Sequence, residues 1–162
     1  MSLGAWVRAI TGFWTARSRG VRIFAVVLAM AAVWWSSSQE GQLLGSGGVA
    51  SFVHNSGHIV AFGAIAGLVL CPLAEPTQWV PLHAWIAIAV AGCYGMVDEL
   101  HQSHVPGRSC TVSDGISDVV GAMLMMAILF GIVRGHAGAR RWILPALGLS
   151  VGAVAFATWG PW

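Results

Sequence analysis

Apolar residues fall along this chain in five long runs, at 21–35, 49–70, 79–97, 113–133 and 142–159. Each comes close to the roughly 20 residues a helix needs to cross a hydrocarbon core. Ahead of them, residues 3–16 set Trp6, Ile10, Phe13 and Trp14 at helical spacing beside Arg8 and Arg17. That pattern predicts a short amphipathic helix lying at a membrane surface. Residues 36–48 are polar and Gly-rich and predict a loop. Pro72 and Pro76 close the second run, residues 71–78 form a short connection, and Pro106-Gly107 marks a turn. The fold expected is all-α, a polytopic membrane helix bundle of five transmembrane helices plus an N-terminal interfacial helix. Residues 1–20 would form the interfacial segment and 21–162 one transmembrane domain without internal repeats.

Composition supports this. The chain is 57% hydrophobic and 9% charged, with a mean hydropathy of +0.75, whereas soluble domains are about one quarter charged. Its 162 residues leave room for a single domain. A net charge of +2 is too small to argue for nucleic acid. Cys71, Cys93 and Cys110 are odd in number and lack metal-ligand spacing, so neither a disulfide framework nor a zinc site is expected. No Gly-rich phosphate loop, nucleophile elbow or dinucleotide fingerprint is present, and no cofactor is expected. No signal-peptide cleavage site follows the first segment, and Trp34, Trp35, Trp79, Trp142, Trp159 and Trp162 fall mostly at the ends of runs, as an aromatic belt would.

The arginines give the topology. Arg8, Arg17, Arg19 and Arg22 precede or open the first span, and Arg134, Arg140 and Arg141 lie between the fourth and fifth. Five spans put both groups on one side, which the positive-inside rule assigns to the cytoplasm together with the N-terminus. Arg108 is then the one arginine outside. The polar residues converge on that outer side: His54, Asn55 and His58 on the second span, Asp98, Glu99 and Gln102 on the third, Asp114 and Asp118 on the fourth.

Four of the six acidic residues, Asp98, Glu99, Asp114 and Asp118, sit in the stretch 94–121 around Arg108. Asp98 and Gln102 are four apart, and Glu99 and Gln102 three apart, so on a continued helix they share a face. Asp114 suits the first turn of the fourth helix, where the macrodipole favours an acid. Asp118 lies a turn deeper, where an unpaired charge costs about 2.5–3.5 kcal/mol or more; Arg108 is the expected counter-ion, with Glu99 as the arginine's mate. Such a cluster either ties helices together as structure or leaves Arg108 to grip an anionic headgroup while Glu99 or His58 handles a proton. A lone histidine in an apolar helix is often an interhelical contact, but His58 shares the depth of the acids and is assigned to the pocket. His101 and His104 are spaced three apart and follow Glu99, unlike a metalloprotease helix, so no metal site is assigned. His54, His83 and His136 read as interfacial, and Tyr94 as a packing residue.

The run Tyr94-Gly95, Asp98-Glu99, Gln102, Val105-Pro106-Gly107-Arg108, Ser113-Asp114 and Gly121 resembles the signature of the VanZ-like family of membrane proteins. Asn55-Ser56-Gly57-His58 with Phe62 and Gly63 is similar to that family's other motif. The resemblance covers about residues 50–130, with two departures: Asp118 stands where the family commonly has Asn, and His54-Asn55 where many members have Asp-Lys. It implies a multi-pass protein of the bacterial cytoplasmic (inner) membrane, functional roles for His58, Glu99, Gln102, Arg108 and Asp114, and a link to resistance against the glycopeptide teicoplanin. Residues and resemblance together assign His58, Glu99 and Asp114 as catalytic, and Arg108, Gln102, Asp98 and Asp118 as substrate-binding. The expected partners are membrane lipids and a lipid-linked or phosphate-bearing envelope substrate. The rival expectation is a non-enzymatic scaffold or partner subunit with a structural ion-pair cluster. A transporter is disfavoured by five helices without inverted repeats.

Overall fold

The computed structural model of the chain describes residues 3–39, 48–108 and 112–159. Most of the expected 36–48 loop, with Glu40, lies outside the described residues, as does Cys110. Six α-helices follow in order: α1 Leu3–Thr15, α2 Arg19–Ser37, α3 Gly48–Leu73, α4 Pro81–Gln102, α5 Val112–Ile128 and α6 Ala137–Trp159. A 3-10 turn at Pro76–Gln78 precedes α4, and a π turn at Leu129–Val133 prolongs α5. There is no strand among the described residues.

Local chemistry sets the boundaries. Ser18 caps α2, its Oγ accepting from the Val21 N–H at 3.4 Å. Pro81 opens α4 in the first turn, where an N–H would lack an intrahelical partner anyway. The third apolar run therefore starts two residues later than expected and continues past Val97 through Gln102, keeping Asp98, Glu99 and Gln102 on regular helix. The fifth run, by contrast, starts earlier than expected, because Arg140 and Arg141 belong to the first turns of α6 and not to a loop.

Four helical segments are long and apolar enough to cross a membrane: Arg19–Ser37, Ser51–Leu73, Val112–Val133 and Ala137–Trp159. α4 is the expected span outside this set, since polar residues fill its last turn. Its sides are inverted relative to a soluble helix. Leu82, Trp85, Met96, Val97 and Leu100 are exposed, while Ala87, Ala91, Gly95, Asp98, Glu99 and Gln102 are buried.

α3 and α5 form the centre of the bundle, with α4 and α6 packed against them. Phe62, Ile65, Ala66 and Leu70 of α3 meet Ala87 and Ala91 of α4 and Ala122 and Met126 of α5 in a common core. Small residues make that approach possible, as in membrane bundles generally. A Cβ on Gly121 would collide with the backbone of Ile59.

The connections sort the polar groups into two ends. At one, Arg22 Nη1 donates to the Cys71 carbonyl at 2.7 Å and to Glu75 Oε1 at 3.2 Å. Arg8 Nη1 donates to the Ile132 carbonyl at 3.4 Å, and Arg134 Nε to that of Trp79 at 3.3 Å. The C-terminal ends of α2 and α4 and the N-terminal parts of α3 and α5 form the opposite end, which carries the acids and His58.

Candidate functional site

His54 and His58 stand four apart on α3, so both point the same way; their rings meet edge-on at 5.2 Å, and His58 stacks on Phe62 at 5.9 Å. α5 brings Asp118 opposite. His58 Nδ1 and Asp118 Oδ1 lie 2.9 Å apart, and Asp118 is 0% exposed. Gly95 of α4 makes room for that carboxylate, since a Cβ there would come within 2.5 Å of Asp118 Oδ2. From α4, Asp98 accepts hydrogen bonds at Oδ2 from Ser37 Oγ and Gln102 Nε2, both at 2.8 Å. Asp98 Oδ1 and Asp118 Oδ2 are buried without a hydrogen-bond partner among the described residues. Glu99 is buried beside them. One nitrogen or oxygen each from His58, Glu99 and Asp118 lie within 4.8 Å of one another, an arrangement able to hold a metal ion. Asp114 occupies the first turn of α5, within electrostatic range of His54, His58 and Asp118.

Above this floor sits Arg108. The Val-Pro-Gly-Arg run is a tight turn: the Arg108 N–H donates to the Val105 carbonyl at 3.1 Å, and Gly107 takes a φ of 78°. Proline second and glycine third is the arrangement a turn with a left-handed third residue requires. Val105 is buried and anchors it. The guanidinium thereby reaches across to α2 and α3, donating to the carbonyls of Ser36 at 3.1 Å and Gln39 at 3.3 Å and approaching His54 Nε2 at 3.4 Å. A cavity of about 180 Å³ lies beneath it, with Ser36, Ser37, His54, His58, Asp98 and Arg108 among its walls. That volume is far above the ~10–15 Å³ that one water needs.

All seven residues singled out from the sequence, His58, Asp98, Glu99, Gln102, Arg108, Asp114 and Asp118, therefore lie at one end of the bundle. Three details differ from expectation. The partner of Asp118 is His58 and not Arg108, because the Val105–Arg108 turn directs the arginine toward α2. His54 lines the cavity beside Arg108 instead of being incidental. The Tyr94 hydroxyl donates to the Met30 carbonyl at 2.5 Å and so tethers α4 to α2. His101 stacks on Trp34 at 3.8 Å and meets Ser38, and His104 bonds the Leu100 carbonyl of its own helix. Ser37 was not anticipated; its only signal was a polar residue at the end of an apolar run.

A family model described as VanZ/LLP1 matches residues 16–134, well over half of the chain. The chain belongs to the VanZ/LLP1 family. No curated protein and no solved structure matches it. The VanZ/LLP1 match starts upstream of the motif-bearing stretch at 50–130 and takes in α2. In this chain α2 is one wall of the cavity, through the Ser37–Asp98 hydrogen bond and the Ser36 and Gln39 carbonyls on Arg108.

Proposed function

We propose that this VanZ/LLP1-family protein crosses the bacterial cytoplasmic membrane five times, α4 included, and uses its outer-end cavity to bind an anionic group of a lipid-linked or cell-envelope molecule. Support for the fifth span comes from the exposed apolar side of α4, which has no use in water. α1 fits the interface: Trp6, Ile10 and Phe13 are exposed, while Thr11 and Thr15 are buried and Val7 and Trp14 pack on the bundle. The clustering of Arg8, Arg22, Arg134 and Arg140 at one end supports a cytoplasmic N-terminus.

The observation that carries the binding role is Arg108. The partners of its guanidinium among the described residues are two carbonyls and an imidazole, while it stands at the mouth of a cavity large enough for a phosphate-sized group. Guanidinium is suited to phosphate and carboxylate because its N–H groups match their oxygens in pairs. His54 flanks the anion site, Gln102 and Asp98 orient the attached group, and His58, Glu99 and Asp114 form the reactive side. The teicoplanin link implied by the resemblance fits a protein that handles envelope precursors or lipids at the outer face.

Undecaprenyl phosphate and phosphatidylglycerol, offered to the protein in mild detergent and scored by native mass spectrometry, test the proposal. A charge-assisted contact of about 1.5–3 kcal/mol corresponds to roughly 10- to 100-fold in affinity, so Arg108→Ala should lose retention by that factor while remaining folded. Equal retention by wild type and variant would overturn the binding role. Loss of membrane abundance in Arg108→Ala and in Glu99→Gln alike would favour the structural scaffold.

A further inference from the structure

Behind the His58 wall of the cavity, Asp118 has fewer partners than a buried carboxylate requires. Asp118 is 0% exposed and accepts one contact, from His58, while its second oxygen has no partner among the described residues. That oxygen faces α4 at Gly95, and Glu99 follows four residues on along the same side of the helix. A buried carboxylate oxygen left without a partner is unfavourable at membrane depth unless some cation compensates it. Arg108 does not supply it, because its turn aims it at α2 and His54.

We propose that His58, Glu99 and Asp118 bind one divalent cation. The charge of such an ion cancels the two carboxylates. One imidazole with two carboxylates is a donor set suited to first-row divalent ions such as Zn²⁺. The geometry fits as well. His58 Nδ1 and Asp118 Oδ1 stand 2.9 Å apart, within hydrogen-bond reach, and would part by about 0.5 Å to share a tetrahedral ion. All three donor atoms lie within 4.8 Å of one another, against ~3.4 Å for the edge of a tetrahedral zinc shell. The flexible Glu99 side chain closes that difference. The three donors come from α3, α4 and α5, so the ion would clamp the central helices. Three protein ligands also leave a coordination position open, and His58 lines the cavity under Arg108. An anion in that open position would bridge ion and arginine; this last point alone rests on the binding role proposed above.

The test uses the whole chain in detergent, stripped with EDTA, desalted and titrated with Zn²⁺, with bound metal counted by mass spectrometry. Wild type should take up one ion per chain, and saturating Zn²⁺ should raise its melting temperature by ~5 °C or more. Asp118→Asn and Glu99→Gln, which keep side-chain volume, should weaken binding by at least ~10-fold. His104→Ala, on an exposed histidine outside the cluster, should bind as wild type. Arg108→Ala should keep the ion while losing the anion, so the two proposals fail separately. If either isosteric variant does not fold, Co²⁺ added to wild type decides, since an ion bound by nitrogen and oxygen donors gives visible absorption that the free ion lacks in this form. A folded wild type that takes up no ion and shows no thermal shift would overturn the site. So would uptake unchanged in both isosteric variants.

Discussion

Two side-chain pairs hold opposite ends of this bundle, and they are built on different principles. Arg22 and Glu75 meet at 3.2 Å with the glutamate side chain 51% exposed, and the arginine has a second acceptor in the Cys71 carbonyl. His58 and Asp118 meet at 2.9 Å with side-chain exposures of 9% and 1%, and an oxygen of Asp118 stays without a partner among the described residues. The first pair is a tether at a helix end that water can replace. The second is shut inside a glycine-lined gap between three helices, next to a cavity. Arg22 Nε also lacks a hydrogen-bond partner among the described residues, so the difference lies in exposure: water reaches Glu75 and is shut out from Asp118.

The largest effect should come from removing the gap itself. Gly121→Val would drive a branched side chain into the Ile59 backbone, which cannot rotate away as a side chain can, so its cost should exceed the ~1–3 kcal/mol of ordinary overpacking. Size-exclusion chromatography in detergent should show little monodisperse protein; a normal yield would mean that α3 and α5 pack less closely than described. Next comes Asp118→Ala, which leaves the buried His58 ring without its hydrogen-bond partner and should cost about 1–3 kcal/mol, read as a lower melting temperature in detergent. Glu75→Ala should be the mildest, at ~0–1 kcal/mol, because the carboxylate is half in solvent and Arg22 keeps its carbonyl. Equal melting temperatures for the last two variants would erase the distinction between the ends.

Much of this arrangement was legible in spacing alone. Positions 98, 99 and 102 share a face by helical arithmetic, and α4 does bury all three. Positions 114 and 118 repeat that logic on α5, and the Pro-Gly pair announced the turn that presents Arg108. Helical register fixes which side of a helix a residue occupies, but it does not say whose tip reaches whom. Hence spacing alone pairs Asp118 with the nearest arginine in sequence and not with His58, sixty residues away. His54 looked incidental because its role depends on where a turn from another part of the chain lands. The α4 span was ambiguous for the opposite reason, since the residues that make its last turn informative also lower its hydropathy.

The π turn at Leu129–Val133 has an effect on a different part of the molecule. There the Arg134 N–H reaches back five residues to the Leu129 carbonyl, and the segment lies beside α1 and takes a hydrogen bond from Arg140 Nε on the Gly131 carbonyl at 2.8 Å. Every residue of a helix advances its azimuth by ~100°, so a widened turn works as a phase shifter between the two halves of one rod. The half bearing Asp114 and Asp118 can keep its aim while the half beneath is rotated to suit α1 and α6. Insertions or deletions confined to that loop of helix would retune the inner surface and leave the outer chamber in register.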